Sequence, residues 1–197
     1  MLSSILGPLL AISLAITGAG GKDAMNKPPS YGEIGIEFGD SAETAWRPVN
    51  DGVMGGLSRS GMVLSGAGTA IFEGIVSLEN NGGFASVRTT IGEIDMSSDT
   101  GLAIRVKGDG KRYRLRLRTD RRFDGVAYQA HFDAGNGEWV TIHIPFSSFV
   151  PTFRGRLLAD QPPLDTATIC QIGLMIADKQ DGPFRLEIEW IRAYRLH

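Results

Sequence analysis

From residue 33 onward, apolar and polar side chains alternate with a period of two along almost the whole chain. The windows EIGIEF (33–38), TAIFEGIVSL (69–78), FASVRTT (84–90), GLAIRVKG (101–108) and RYRLRLRT (112–119) all alternate or form short apolar runs. So do VAYQAHFD (126–133), EWVTIHIPF (138–146), CQIGLMIA (170–177) and FRLEIEWIRAY (184–194). This is the periodicity of β-strands, whose side chains point to opposite faces in turn. Turn signals such as GDG (108–110), AGNG (134–137) and KQDG (179–182) separate the windows. No stretch has helical period and length, apart from a short turn around SSFVPTF (147–153). Many short strands at regular spacing, with no helices between them, predict an all-β antiparallel sandwich or barrel.

A chain of 197 residues suits one domain with a sizeable core. The first twenty residues carry no charged side chain and run apolar from Ile5 to Ile16, like the apolar region of a secretory signal. Gly7, Pro8 and the serines make them a poor membrane span, so no firm transmembrane segment is assigned. The expectation is an exported, periplasmic or membrane-associated protein, with a cytoplasmic one as the alternative. Residues 21–30 then read as a linker, which gives a signal-like or flexible segment over 1–30 and a single domain over 31–197.

The formal net charge of −2 gives no general reason to expect nucleic acid. The single cysteine, Cys170, excludes an intrachain disulfide framework and sits in an apolar run, as a buried structural thiol would. The sequence holds no Walker loop, dinucleotide fingerprint, HExxH or GxSxG motif. His131 and His143 would share a site only if their strands pair, and exposed sheet histidines are the commoner explanation. No catalytic residue, metal or cofactor is assigned, and no enzymatic activity is expected.

Two features do carry information. In KRYRLRLRTDRR, Arg112, Arg114, Arg116 and Arg118 fall on one strand face and Tyr113, Leu115 and Leu117 on the other. Nine of the twenty Lys and Arg residues lie between Arg105 and Arg122. This arginine face is a candidate anion or partner surface. The competing expectation is that the last strand neutralises it, with Glu187 and Glu189 opposite the arginines and Leu186, Ile188 and Trp190 together on the other side.

The second feature is a pair of glycine-punctuated polar segments, VNDGVMGGLSRSG (49–61) and SLENNGGFASVRT (77–89). Glycines permit close backbone approach, and Asn or Asp beside them either bond their own backbone or face a ligand. Asn50, Asp51, Met54, Glu79, Asn80, Asn81, Phe84 and Arg88 are therefore the candidate partner-binding residues. Glu79 and Arg88 are placed to pair across the base of the second segment.

The same segments resemble a known family. W-x-x-V-N-D-G-V-M-G-G-L-S (46–58) and F-E-G-x-V-S-L-E-N-N-G-G-F-A-S-V-R (72–88) are similar to the signature segments of the complex I intermediate-associated protein 30 family. The resemblance continues through YQAHF (128–132), residues 139–156 and GPFRLEIEWI (182–191). It implies a galactose-binding-like jelly-roll β-sandwich acting as a non-enzymatic, chaperone-like assembly factor. The implied partner is a protein, such as an assembly intermediate of a membrane complex. The alternative is a carbohydrate-binding module, in which Trp46, Tyr128 and Trp139 would stack on a sugar ring.

Overall fold

The computed structural model describes residues 27–38 and 45–197; the signal-like segment and most of the linker lie outside them. The strands in chain order begin with β1 (Ser30–Glu37), β2 (Arg47–Pro48), β3 (Arg59–Leu64), β4 (Ala70–Val76) and β5 (Ala85–Ile94). They continue with β6 (Gly101–Asp109), β7 (Arg112–Arg118), β8 (Ala127–Asp133) and β9 (Asn136–Pro145). The last four are β10 (Val150–Phe153), β11 (Arg156–Leu157), β12 (Ile169–Ile176) and β13 (Gly182–Arg195).

They form two antiparallel sheets. One runs β3-β4-β13-β6-β9, with β1 added beside β13; the other runs β11-β10-β8-β7-β12-β5-β2. The sheets pack face to face as a β-sandwich. Alternation supplies the core: β7 turns Tyr113, Leu115 and Leu117 inward, directly opposite Ile176, Leu174 and Ile172 of β12. The other sheet meets them with Phe72, Ile104, Leu186 and Ile188, all fully buried. Burying each such side chain contributes about 1.5–3 kcal/mol. Rings of Phe72, Tyr113 and Phe184 cross between the layers at edge-on or tilted angles.

All nine alternating windows are strands. Four strands lack that signature. In β10, Pro151 reads as a breaker but is tolerated near a sheet edge, between β8 and the two-residue β11. The helix-like reading around 147–153 reduces to a single 3-10 turn, Phe146–Ser148, that leads into β10. The strands β2 and β3 lie in or beside the first glycine-rich segment, where glycine obscures the pattern. In β13 the register shifts between Ile188 and Trp190. The bulge keeps Ile188 and Ile191 in the main core and sends Trp190 to the outer face with Ala103 and Tyr194. Trp190 is thus separated from Leu186 and Ile188, contrary to simple alternation.

Candidate functional site

The two glycine-rich segments meet at one carboxylate. Asp51 opens a 3-10 turn, Asp51–Met54, and is fully buried. Its Oδ1 accepts the Ser58 N–H at 2.9 Å; its Oδ2 accepts the Ser58 hydroxyl and, from the second segment, the N–H groups of Gly83 at 2.8 Å and Phe84 at 3.2 Å. Burial by itself raises the pKa of Asp51, but the Ser58 hydroxyl and the N–H groups of Gly83, Phe84 and Ser58 outweigh it. Together they hold the carboxyl below the ordinary carboxylate range. Asn50 makes a parallel tie: its Oδ1 accepts the Ser60 hydroxyl at 2.6 Å and the Ser86 N–H at 3.0 Å.

Two of the glycines are there for this packing. A Cβ at Gly56 would lie 2.4 Å from the Asp51 Cγ, and one at Gly82 would lie 2.8 Å from Oδ2 and 2.6 Å from the Ser77 carbonyl oxygen. Only glycine admits the two backbones this close to the carboxylate.

The remaining candidates are placed differently. Met54 is 57% exposed, and Glu79, Asn80 and Asn81 form an exposed 3-10 turn in which both asparagines have positive φ. Asparagine is among the residues that tolerate this region. Arg88 does not pair with Glu79. Its Nη1 donates to the Phe123 carbonyl at 2.9 Å, and its guanidinium sits 4.4 Å from the centre of the Phe123 ring.

The arginine face is not neutralised by the last strand. β7 lies in the second sheet between β8 and β12, whereas β13 belongs to the first. Glu189 bonds Arg105 at 2.6 Å, and Glu187 accepts the Thr69 hydroxyl at 2.9 Å. On β7 itself the four arginines have unequal surroundings. Arg112, at the exposed end, has Asp133 at 3.7 Å. Arg114 is paired with Asp178, and Arg118 donates to the Gly125 carbonyl at 2.8 Å. Arg116 makes no side-chain hydrogen bond among the described residues, and its Nε is buried without a partner.

Register explains how these side chains gather. Arg116 stands opposite Gly173 of β12, which stands opposite Arg88 of β5, so a residue with no side chain separates two arginines. The result is a hollow of about 570 Å³ on the outer face of the second sheet. Met54, Phe84 and Arg88 from the glycine-rich segments line it together with Arg114, Arg116 and Arg118. Arg112, Asn50, Asp51, Glu79, Asn80 and Asn81 are not part of the lining. Burial first, and then the charges of Arg118, Arg114 and Arg88, push the Arg116 guanidinium down to about 10. Burial lowers Arg118 as well, with Arg88 adding to the effect.

Phe123, Asp178 and Met175 also line this hollow and carried no clear sequence signal. Gly173 did carry one, as a lone glycine inside a strand pattern. Elsewhere, His131 and His143 fall on different sheets, and the His143 Nε2 lies 3.0 Å from the Tyr31 hydroxyl. Trp46 packs against the core beside Phe38, Tyr128 is buried with its hydroxyl donating to the Pro162 carbonyl, and Trp139 lies on the first sheet near Arg105. These three aromatics form no common platform. Cys170 is buried, and desolvation raises its pKa, as expected of a structural thiol.

The sequence profile described as complex I intermediate-associated protein 30 matches residues 36–188, which include both glycine-rich segments and most of both sheets. The chain belongs to the complex I intermediate-associated protein 30 family. The mouse protein of that name, described as mitochondrial, is 36% identical over 104 residues, 51% of this chain and 32% of its own. The Drosophila melanogaster protein is 28% identical over 168 residues, covering 74% of this chain and 57% of that one. This member of the family thus spans a third to three fifths of the length of these relatives. An uncharacterised Schizosaccharomyces pombe protein is 29% identical, with 77% of this chain and 78% of that one aligned.

In fold, the chain is similar to the family 11 carbohydrate-binding module of a Clostridium thermocellum cellulase, with a TM-score of 0.63. The alignment covers 83% of this chain and 95% of the module at 18% identity, a likeness of architecture alone. It agrees with the galactose-binding-like sandwich implied by the family. The relatives also correct one expectation. The mouse, fly and Neurospora crassa proteins are named mitochondrial, which does not fit an exported or periplasmic location. Among the described residues no helix is long and apolar enough to cross a membrane.

Proposed function

We propose that this chain is a non-enzymatic assembly-factor module that recognises a protein partner during the assembly of respiratory complex I, through the rim built by its two glycine-rich segments. The observation that carries this reading is the Asp51 tie. It joins both segments from within and leaves Met54, Leu57 and Leu78 exposed beside Asn80 and Asn81. A surface fixed before binding loses little conformational entropy when a partner docks. Exposed apolar side chains next to free amides suit an incompletely assembled protein, whose own apolar and backbone groups are still uncovered. Recognition of this kind needs no covalent step. Family membership, and the name its relatives carry, support complex I intermediates as the partner class. The carbohydrate alternative would require a shared aromatic platform, and Trp46, Tyr128 and Trp139 are too dispersed to make one.

The test is recovery of complex I subunits with the affinity-tagged chain from its native host, identified by mass spectrometry. Met54→Lys with Leu57→Lys should reduce that recovery about tenfold or more while leaving thermal unfolding unchanged, because both side chains are exposed. Full recovery with the double variant would move the partner surface elsewhere. Absence of complex I subunits from the unmutated sample would remove the complex I assignment.

A further inference from the structure

The hollow above Gly173 has a charge balance that the fold does not explain. Six cationic side chains line it: Arg88, Arg114, Arg116, Arg118, Arg154 and Lys179. Only two carboxylates do, and both are engaged, Asp178 with Arg114 and Asp124 with Arg154. Arg88, Arg116 and Arg118 have no ion pair among the described residues, yet adjacent strands hold them around one glycine. Gathering like charges in a partly desolvated place opposes folding unless a counter-charge completes it. Neutral side chains would fill this sheet face at lower cost.

We propose that this hollow binds a phosphate-bearing ligand, with the phosphoryl group held by Arg116 between Arg88 and Arg118 and the apolar remainder against Phe123 and Met175. Phosphate suits the site better than a lone carboxylate for two reasons. It carries up to two negative charges and three acceptor oxygens, and planar guanidinium forks meet it in a bidentate manner. The floor is open because position 173 has no side chain; a Cβ there would lie 2.8 Å from the Val87 carbonyl oxygen and 3.1 Å from the Arg88 Cβ. The three arginines stand on the central part of the second sheet, so their positions are set before a ligand arrives. A volume of about 570 Å³ falls in the usual range for small-ligand sites. Phe123, 69% exposed and already stacked on Arg88, supplies an apolar wall. A soluble phosphate ester and a phospholipid head group share this chemistry.

The purified full chain decides the matter, independently of any protein partner. Phenyl phosphate is titrated calorimetrically at low salt, with benzoate as the carboxylate of the same ring. Phenyl phosphate should bind at least about tenfold tighter than benzoate and be displaced by inorganic phosphate. Arg116→Gln should weaken it about tenfold or more, Arg116→Lys should retain part of the affinity, and Arg112→Gln, on the same strand but outside the hollow, should leave it unchanged. Without ligand, Arg116→Gln should melt no lower than the unmutated chain, because an unpaired charge is removed. Should that variant not fold, Phe123→Ala takes its place and should weaken phenyl phosphate but not inorganic phosphate. Co-sedimentation with vesicles of phosphatidylcholine plus phosphatidic acid, but not phosphatidylcholine alone, and its suppression by phenyl phosphate, would assign the lipid source. Phenyl phosphate binding without vesicle attachment would assign a soluble ester. The proposal is overturned by no binding of phenyl phosphate, by equal affinity for benzoate, which would indicate an acidic peptide instead, or by an equal loss in Arg112→Gln.

Discussion

The Asp51 node and the Arg116 hollow adjoin each other, and each takes a charged group from water, Asp51 fully and Arg116 in part, but they treat that group in opposite ways. Around Asp51, three N–H groups and a hydroxyl all point at the carboxylate. Around Arg116, no group among the described residues accepts from the guanidinium, and burial together with three further arginines depresses its basicity. Burial opposes both charges. Among the described residues only the first meets compensating dipoles, so it acts as a structural tie, while the second is a standing cost of the folded state. Polar composition alone does not separate these cases; what separates them is whether the partner groups come from the fold or from outside it.

The largest expected effect breaks the first half of this contrast. Asp51→Ala leaves the donors of Ser58, Gly83 and Phe84 without an acceptor and should lower unfolding stability by about 3–5 kcal/mol in chemical denaturation. A loss near zero would show that the segments are held together by other contacts. The same carboxylate sets an acid limit. Its folded pKa lies below the unfolded value, so its contribution is complete above about pH 4 and disappears as pH falls from there through the folded value. Stability should therefore drop steeply below about pH 4, and the drop should be shallower in Asp51→Ala. Arg116→Gln tests the other half, with the opposite sign. Removal of the uncompensated charge should raise stability by about 1 kcal/mol in the same assay, and a clear loss would mean that the guanidinium is satisfied in solution.

The smallest effect comes from the strand once expected to neutralise the arginines. Glu189→Gln breaks a half-exposed pair with Arg105 and should cost about 0.5 kcal/mol. Retention on a heparin column attributable to the β7 arginines should not change, because Glu189 lies in the opposite sheet. Increased retention that disappears with Arg116→Gln would show that the two strands communicate after all.

Much of the fold was legible in the alternation of residues. The inward faces of β7, β12 and β13 follow from their apolar positions, since a strand with one buried side must repeat every second residue. Trp190 escaped that rule because a bulge inserts an extra residue, and the insertion depends on pairing with β6 rather than on local preference. The strand at Pro151 escaped it because proline is excluded only where its missing N–H would be required.

The candidate site was legible to a lesser degree. The glycine-rich segments identified themselves by composition, and the resemblance they carry led to the right family. Their roles were not visible: the letters of Asn50, Asp51, Asn80 and Asn81 look alike, yet the first two are tied inside the fold and the last two face water. The arginine ladder was plain in the sequence because period two is a local property of the chain. Its missing counter-charge was not. Which strand lies beside β7 depends on contacts between residues far apart in sequence, and only the tertiary structure decided that β12, with Gly173 at its centre, would take the place a glutamate-bearing strand could have held.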